Sequence, residues 1–187
     1  MREPHETTRL RLRDITESDA QLMFELDADP EVMRHIGVAA PPDLQSHRER
    51  IRSVYVPAQS HPWHGIWMVE DLSSSEFLGW VFARPADQAM FAKELGWTRS
   101  DEVEVGFRLH RAAWGQGIAT EAAAVLLDLA MADETTSAVV GCASAENLAS
   151  IRVLEKLGLK QVGQVLLAGE DVPTVRLQRS KPEEERK

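Results

Sequence analysis

The chain has little of the material from which disulfides, metal clusters or membrane spans are built. Its 187 residues include one cysteine, Cys142, so no intramolecular disulfide and no Cys-x-x-Cys metal motif can form. No apolar run reaches the ~20 residues that a membrane-spanning helix needs. The N-terminal segment also lacks the basic-then-apolar layout of a secretory signal. These absences predict a cytoplasmic protein with no membrane partner and no metal site.

Positive charge is also scarce, because 21 Lys and Arg stand against 30 Asp and Glu, a formal net charge of −9. Nucleic-acid binding needs a basic footprint, so no nucleic-acid partner is expected. An acidic chain is compatible with a cationic substrate such as an amine. The length and the 43% hydrophobic content predict one globular domain over residues 1–180. Residues 181–187 are predicted to form a charged, disordered tail.

Hydrophobic periodicity predicts a chain that alternates between strands and helices. Arg9–Arg13 and Asp101–His110 alternate between apolar and other residues, as strands with two distinct faces do. Other strands are predicted at 66–70, 77–82, 137–142, 161–167 and 172–178, whereas 84–100 has no period and is predicted to be a long loop. Helix caps are predicted at Thr16 with Asp19, at Asp43, at Asn147 and at Gly158.

The strongest chemical signal is a glycine-containing loop between strand 101–110 and an amphipathic helix. The sequence Trp114-Gly115-Gln116-Gly117-Ile118-Ala119-Thr120 brings two glycines to the start of that helix. Glycine lets the backbone approach a ligand closely. The first N–H groups of a helix lack internal partners and carry the positive end of its dipole. Such a loop favours binding of a phosphate or pyrophosphate.

Other phosphate-binding loops fit this sequence poorly. A P-loop needs a lysine after its last glycine, and none follows Gly117. A dinucleotide fingerprint needs a third glycine where Thr120 stands, and an acidic residue about twenty positions further on. The two glycines alone leave open a plain connection with no ligand.

The surrounding residues resemble the GNAT acetyltransferases, and more narrowly the RimJ/RimL-type ribosomal-protein N-acetyltransferases. The loop and the preceding strand Glu104–Leu109 resemble motif A of that superfamily, and Glu146–Leu159 resembles the motif that follows it. Thr8–Arg13 and Asp29–Met33 fit the start of the family pattern. The resemblance covers about residues 7–178. It implies an α/β fold with a mixed, mostly antiparallel sheet of about seven strands, flanked by helices on both faces and open between two central parallel strands.

The resemblance also implies an activity, the transfer of an acetyl group from acetyl-CoA to a primary amine by direct attack. The acceptor would be a protein N-terminal α-amine or a small-molecule amine, and a homodimer is compatible with the family. Two alternatives remain open: a larger acyl donor such as succinyl-CoA, and a regulatory module that binds CoA but has weak or no catalysis.

For the donor, the resemblance implies that N–H groups from Trp114 to Thr120 hold the pyrophosphate of CoA. The strand residues Phe107, Arg108 and Leu109 would lie beside the pantetheine arm, with a backbone N–H on the acyl carbonyl oxygen. Asn147 would contact the pantetheine, and Ser150 would lie near the sulfur. Asn147 is equally a good N-cap with Ser150 as its N3 neighbour, and both roles are compatible.

Catalytic residues are harder to assign, because Leu154 stands where many members carry a tyrosine that protonates the departing thiolate. Ser150 becomes the candidate acid in its place. Glu104 is the first candidate for the base that takes the proton from the amine. Other candidates are Glu102, the turn residues Glu170 and Asp171, and a chain of water molecules; each carboxylate is equally well explained as a solvated surface group. Ala112 departs from the usual Gln or Arg, and Trp97 in the long loop is a candidate for the amine-binding side.

Overall fold

The computed structural model describes residues 2–37 and 39–181. Its eight strands form one sheet in the order β1-β2-β3-β4-β5-β6-β8-β7, one strand more than expected because a short N-terminal strand is added at the edge. The strands are β1 His5–Glu6, β2 Leu10–Asp14, β3 Gly65–Asp71, β4 Phe77–Pro85, β5 Glu102–Leu109, β6 Ala138–Ser144, β7 Lys160–Val165 and β8 Thr174–Ser180.

The sheet is mixed and mostly antiparallel, which confirms the predicted fold class. β5 and β6 are a parallel pair, and their register runs from Glu102 opposite Ala138 to Glu104 opposite Val140. In the described residues this pairing ends at Glu104, although β5 continues to Leu109. The neighbouring pairs β6–β8 and β7–β8 are antiparallel, as are β1–β2 and β2–β3.

Helices flank the sheet, and several of their predicted caps are present. The backbone N–H of Thr16 donates to Asp19 Oδ2 at 2.7 Å. Asp43 accepts from the N–H of Ser46 at 2.7 Å, and the helix that it starts continues through a π-helical turn at Ile51–Tyr55. The helices are α1 Ala20–Asp27, α2 Pro30–Met33, α3 Leu44–Arg50, α4 Val56–Ala58, α5 Ala92–Leu95, α6 Ile118–Ala132 and α7 Leu148–Lys156.

The chain divides into two compact units, and β4, β5 and α6 each pass from one to the other. The first unit comprises residues 1–82 and 107–122. Its core lies under β3 and β4 and is built from apolar side chains of α1, the π-helical turn and these strands. Its large buried members include Ile15, Met23, Leu26, Ile51, Ile66, Met68 and Trp80.

Within the described chain, the second unit comprises residues 83–106 and 123–181 and holds β6, β7, β8 and α7. The segment 84–100, predicted as a loop, contains a 3₁₀ turn at Ala86–Gln88 and helix α5. Leu95 and Trp97 are 2% and 5% exposed in a cluster with Val140. Trp97 is therefore a core residue of this unit. The segment looked aperiodic because turns of three or four residues are too short to show a helical period.

The C-terminal end of the fold includes one residue that was predicted to belong to the tail. Lys181 is 6% exposed, and its Nζ donates to the carbonyl oxygen of Asp133 at 2.5 Å. Its backbone N–H donates to Ser137 O, so Lys181 extends the pairing of β8 with β6 by one residue. The remaining tail residues, 182–187, lie outside the described part of the chain.

Candidate functional site

The glycine loop has a backbone that only glycine adopts easily. Gly115 and Gly117 have φ values of +73° and +78°, in the left-handed region. A Cβ at Gly115 would meet no atom within 4 Å, so open space borders the loop there. α6 begins at Ile118, and the first N–H with a helical partner is that of Glu121, bonded to Gly117 O. Helix geometry thus leaves the N–H groups of Ile118 to Thr120 without an intrahelical acceptor, as anion binding requires.

Two side chains of the loop stabilise it by hydrogen bonds to backbone carbonyl oxygens. The indole Nε1 of Trp114 donates to Leu109 O at 2.9 Å, although Trp114 is 47% exposed. The amide of Gln116 donates to Ala112 O at 2.5 Å. Ala112 thus supplies its backbone carbonyl, so the absence of a longer side chain at that position leaves this contact intact.

The strand segment that precedes the loop is held by a close backbone approach. A Cβ at Gly79 of β4 would lie 2.2 Å from Arg108 O and 2.6 Å from the Cα of Leu109. β4 therefore touches the segment Phe107–Leu109 with no room for a side chain between them. Leu109 is buried and Phe107 is half-buried.

Alternation along β5 places Arg108 on the face opposite the apolar residues, but its side chain is 12% exposed and does not extend into solvent. Its Nη1 donates to Asp27 Oδ1 at 2.5 Å, and the guanidinium lies over the ring of Trp80. Asp27 Oδ2 lies 3.3 Å from Nε2 of His47, whose Nδ1 contacts Asp43 O. The side chains of Asp27 and His47 are 6% and 4% exposed. This buried ion-pair cluster escaped the sequence analysis, because nothing local marks Asp27 or His47 as partners of a residue so distant in sequence.

In the second unit, Asn147 and Ser150 lie at the start of α7 as expected. Asn147 Oδ1 accepts a hydrogen bond from the backbone N–H of Ser150 at 3.1 Å, which confirms the N-cap. The cap uses the backbone of Ser150 and leaves its hydroxyl oxygen for another role. Leu154, one further turn along, is 2% exposed and packs on β6, where a Cβ at Gly141 would lie 2.9 Å from its Cδ2.

Glu104 is not the solvated surface group that was the alternative explanation of this carboxylate. It is 7% exposed, and its neighbours Val103 and Val105 are also buried, so both faces of β5 are covered there. Its Oε2 accepts a hydrogen bond from Arg84 Nε at 2.5 Å. Burial raises the pKa of Glu104, and the positive charge of Arg84 opposes that rise only in part. Burial and the negative charge of Glu104 raise the pKa of Cys142 to about 12.

Glu170, the other carboxylate singled out for catalysis, is exposed in the turn before β8. Its backbone N–H donates to Leu167 O at 3.1 Å. Across residues 2–37 and 39–181, no ion pair joins Glu170 to another side chain. Glu102 is half-buried, and burial raises its pKa while Arg99 opposes the shift.

Within the described residues, no group of three or more His, Cys, Asp or Glu side chains is placed to hold a metal ion. His61 and His64 stack on each other with ring centroids 3.6 Å apart, beside Trp63. None of the helices in this described part of the chain is long and apolar enough to cross a bilayer.

Solved acetyltransferases share this fold. RimL, the ribosomal L7/L12 alpha-N-protein acetyltransferase in complex with coenzyme A, superposes with a TM-score of 0.74 at 15% identity, over 95% of this chain and 98% of that one. The aminoglycoside acetyltransferase AAC(6′)-Ib in complex with coenzyme A gives 0.69 at 20% identity, over 92% and 95%. At these identities the likeness establishes the fold alone.

Sequence comparison gives the family. Residues 9–160 match the acetyltransferase (GNAT) domain, and the chain belongs to that family of acetyltransferases. FsC-acetyl coenzyme A-N(2)-transacetylase of Aspergillus fumigatus is 30% identical over 160 residues, which is 83% of this chain. The match spans 64% of that relative, so this chain corresponds to less than two thirds of its length. YkkB of Bacillus subtilis is 29% identical over 156 residues, 82% of this chain and 83% of YkkB.

Proposed function

We propose that this protein transfers an acetyl group from acetyl-CoA to a primary amine. The observation that carries the proposal is the loop Trp114–Thr120, in which two left-handed glycines lead into α6 and open space borders the first of them, Gly115. A diphosphate fits the chemistry of this loop, since unpaired N–H groups and the helix dipole both favour an anion. The relatives support the choice of ligand, because the Aspergillus protein is named for acetyl coenzyme A and solved neighbours hold coenzyme A.

Under this proposal, acetyl-CoA supplies an activated acyl group as a thioester. The loop binds its diphosphate, and the strand segment Phe107–Leu109 aligns the arm that carries the acyl group. A backbone N–H of that segment donates to the acyl oxygen, where negative charge develops during attack. The amine nitrogen forms the new C–N bond, the C–S bond breaks, and the amine loses one proton while the sulfur gains one.

Glu104 is the base that the geometry supports best. A buried carboxylate with a raised pKa accepts a proton near neutral pH more readily than an exposed one. Arg84 keeps its oxygens oriented through the 2.5 Å hydrogen bond. Ser150 is the proposed acid for the sulfur, because the cap of α7 engages only its backbone N–H. Glu170 and a water chain are the alternatives for the base.

The amine acceptor is proposed as a chemical class and not as one compound. The names of solved neighbours include an acetyltransferase of a protein α-amine and one of aminoglycosides, so both peptide N-termini and small amines belong in a substrate panel. Succinyl-CoA tests the use of a larger acyl group. The competing function is a regulatory module that binds CoA without catalysis. It is tested because a buried leucine, Leu154, stands where many family members carry the tyrosine that protonates the thiolate.

The first experiment measures thermal stability with acetyl-CoA, CoA, ATP and NAD, on the natural protein and on Gly117→Trp. Binding to the native state raises Tm. The proposal expects a rise with the two CoA species alone, and its loss in Gly117→Trp. Gly169→Trp is the control, because Gly169 also has positive φ and a Cβ there would meet no atom within 4 Å, but it lies in another turn. Equal shifts with ATP and NAD, or none with CoA, would refute the proposed donor.

The second experiment separates an enzyme from a binding module. Release of free CoA thiol from acetyl-CoA is followed while peptide N-termini, polyamines and aminoglycosides are offered. An enzyme releases thiol in step with acetylation of one class of amine. Tight binding of acetyl-CoA without amine-dependent release across the panel would support the module instead.

A further inference from the structure

Arg9, directly before β2, contacts the glycine loop and the first turns of α6 at once. Its Nη1 donates to the backbone carbonyl oxygen of Gln116 at 3.1 Å. Its Nε and Nη2 lie 2.8 and 2.6 Å from Oε2 of Glu121. More than a hundred residues separate Arg9 from these partners, and all of them lie in the first unit. The guanidinium therefore links the segment before β2 to the backbone of the proposed diphosphate loop.

The carboxylate that holds Arg9 is itself fixed. Glu121 Oε1 accepts a hydrogen bond from the hydroxyl of Thr7 at 2.6 Å and one from the backbone N–H of Arg9 at 3.1 Å. Both oxygens of Glu121 are thus engaged by the segment that leads into β2. A planar guanidinium with two contacts to one carboxylate and one to a carbonyl has a defined orientation, which a flexible ammonium lacks.

The contact to Gln116 O determines which way a peptide group of the loop faces. In a trans peptide the C=O and the following N–H point in opposite directions. By holding the carbonyl of Gln116, Arg9 directs the N–H of Gly117 away from itself. Gly117 follows this peptide bond, and glycine adopts positive and negative φ about equally well. Rotation of the peptide plane therefore costs little free energy. A flipped peptide would present a carbonyl oxygen to the anion where an N–H should point.

Arg9 also compensates a charge at the start of the helix. Glu121 places a carboxylate within the first turns of α6, close to where the proposed diphosphate would bind. Two like charges near one helix end disfavour each other, and the ion pair with Arg9 neutralises the carboxylate. The side chains of Arg9 and Glu121 are 46% and 20% exposed, so the pair contributes little to folding stability.

We propose that Arg9 is a positioning residue for the diphosphate of the acyl-CoA, acting by fixing the Gln116–Gly117 peptide and neutralising Glu121. The inference rests on the proposed function. It adds a residue outside the loop that governs affinity for the donor. Because the Arg9 side chain contacts the loop carbonyl of Gln116 and the carboxylate of Glu121, its effect should be confined to ligands that carry the diphosphate.

The test compares Arg9→Ala and Arg9→Lys with the natural protein in titrations with CoA and with pantetheine, which lacks the diphosphate and the nucleotide. We expect Arg9→Ala to weaken CoA binding about tenfold, the size expected for a hydrogen bond to a charged group. Arg9→Lys retains the positive charge but lacks the planar guanidinium. Its affinity for CoA should lie between those of the natural protein and Arg9→Ala. Pantetheine should bind all three proteins equally. Arg11→Ala is the control, because Arg11 lies two residues further on, in β2, and pairs with exposed Glu6.

Each outcome decides the inference. Equal weakening of CoA and pantetheine in Arg9→Ala would show a general structural role and overturn it. Unchanged CoA affinity in Arg9→Ala would overturn it while the proposed function stands. Failure of the natural protein to bind CoA would overturn the proposed function and this inference with it.

Discussion

Arg84 Nε and Glu104 Oε2 lie 2.5 Å apart, and this contact pairs a partly exposed guanidinium with a carboxylate buried on β5. The pair gives the proposed base one fixed partner and one desolvated environment. Burial outweighs the attraction of Arg84 and raises the pKa of Glu104. Glu104 therefore remains able to take up a proton closer to neutral pH than an exposed glutamate.

Replacement of this carboxylate tests its catalytic role. Glu104→Gln should lower kcat about 100-fold or more, the usual contribution of a general base, with little change in CoA affinity. Steady-state kinetics with the best amine of the panel and a CoA titration measure the two quantities. Glu170→Gln is the matched control. A loss of kcat in Glu170→Gln with normal activity in Glu104→Gln would transfer the role to the turn.

The same carboxylate should leave a signature in the pH dependence of stability. A glutamate whose folded pKa is raised binds its proton more tightly in the folded state. Its stabilising contribution is complete below the ordinary value of 4.5 and is lost as pH rises through the folded pKa. The free energy of unfolding of the natural protein should thus fall relative to Glu104→Gln as pH increases above about 4.5. Urea unfolding at several pH values measures this difference, and parallel curves would contradict it.

The buried cluster around Arg108 should dominate the stability of the first unit. Asp27→Asn removes a charge that faces both Arg108 and His47, and leaves buried positive charge uncompensated. Removal of one partner of a buried pair costs about 3–5 kcal/mol. Urea unfolding of Asp27→Asn against Glu25→Gln, an exposed position on the same helix, measures the effect. Equal stability of the two variants would show that the cluster contributes nothing.

Gly79 is predicted to be intolerant of any side chain. A Cβ there would lie 2.2 Å from Arg108 O, so Gly79→Ala must push β4 and β5 apart. We expect destabilisation of about 1–3 kcal/mol and weaker CoA binding, because the displaced segment leads into the glycine loop. Gly169→Ala, with positive φ but no atom within 4 Å, separates steric conflict from backbone strain. Equal loss of Tm in both variants would argue for strain alone.

Cys142 should be unreactive in the folded protein. With a pKa of about 12, only about one thiol in 10⁴ is ionised at pH 8, and the thiolate is the reactive form. Alkylation by iodoacetamide at pH 8 should be slow for the native protein and fast in urea. Rapid stoichiometric labelling of the native protein would mean that the thiol is ionised or far more accessible than its surroundings allow.

Local patterns in the sequence predicted the elements that depend on local interactions. Asp43 and Asn147 cap their helices because each cap joins residues three apart, and the capping contact at Thr16 and Asp19 is equally local. Gly115 and Gly117 were identified because their left-handed backbone restricts the residue type itself. The family membership inferred from these motifs is confirmed by the match over residues 9–160.

Long-range partners could not be predicted in the same way. Arg9 and Glu121 are 112 positions apart in the sequence, and Asp27 and Arg108 are 81 positions apart. Alternation along β5 places Glu104 on the face opposite Val103 and Val105, but all three residues are buried, so both faces of the strand are covered there. Burial of Glu104 thus depends on what packs on the second face of β5, which the pattern of one strand does not contain. The assignments of Ser150, Glu104 and Glu170 to catalysis stay predictions.

The contact between Gly141 and Leu154 limits which side chains position 154 can hold. Leu154 already packs within contact distance of a residue that has no side chain to lose. A larger residue at 154 cannot be accommodated by trimming its neighbour, and a tyrosine there would require α7 to move away from β6. Leu154→Tyr alone is therefore expected to strain the contact between α7 and β6. Under the proposed function, this contact restricts which side chain can protonate the leaving sulfur.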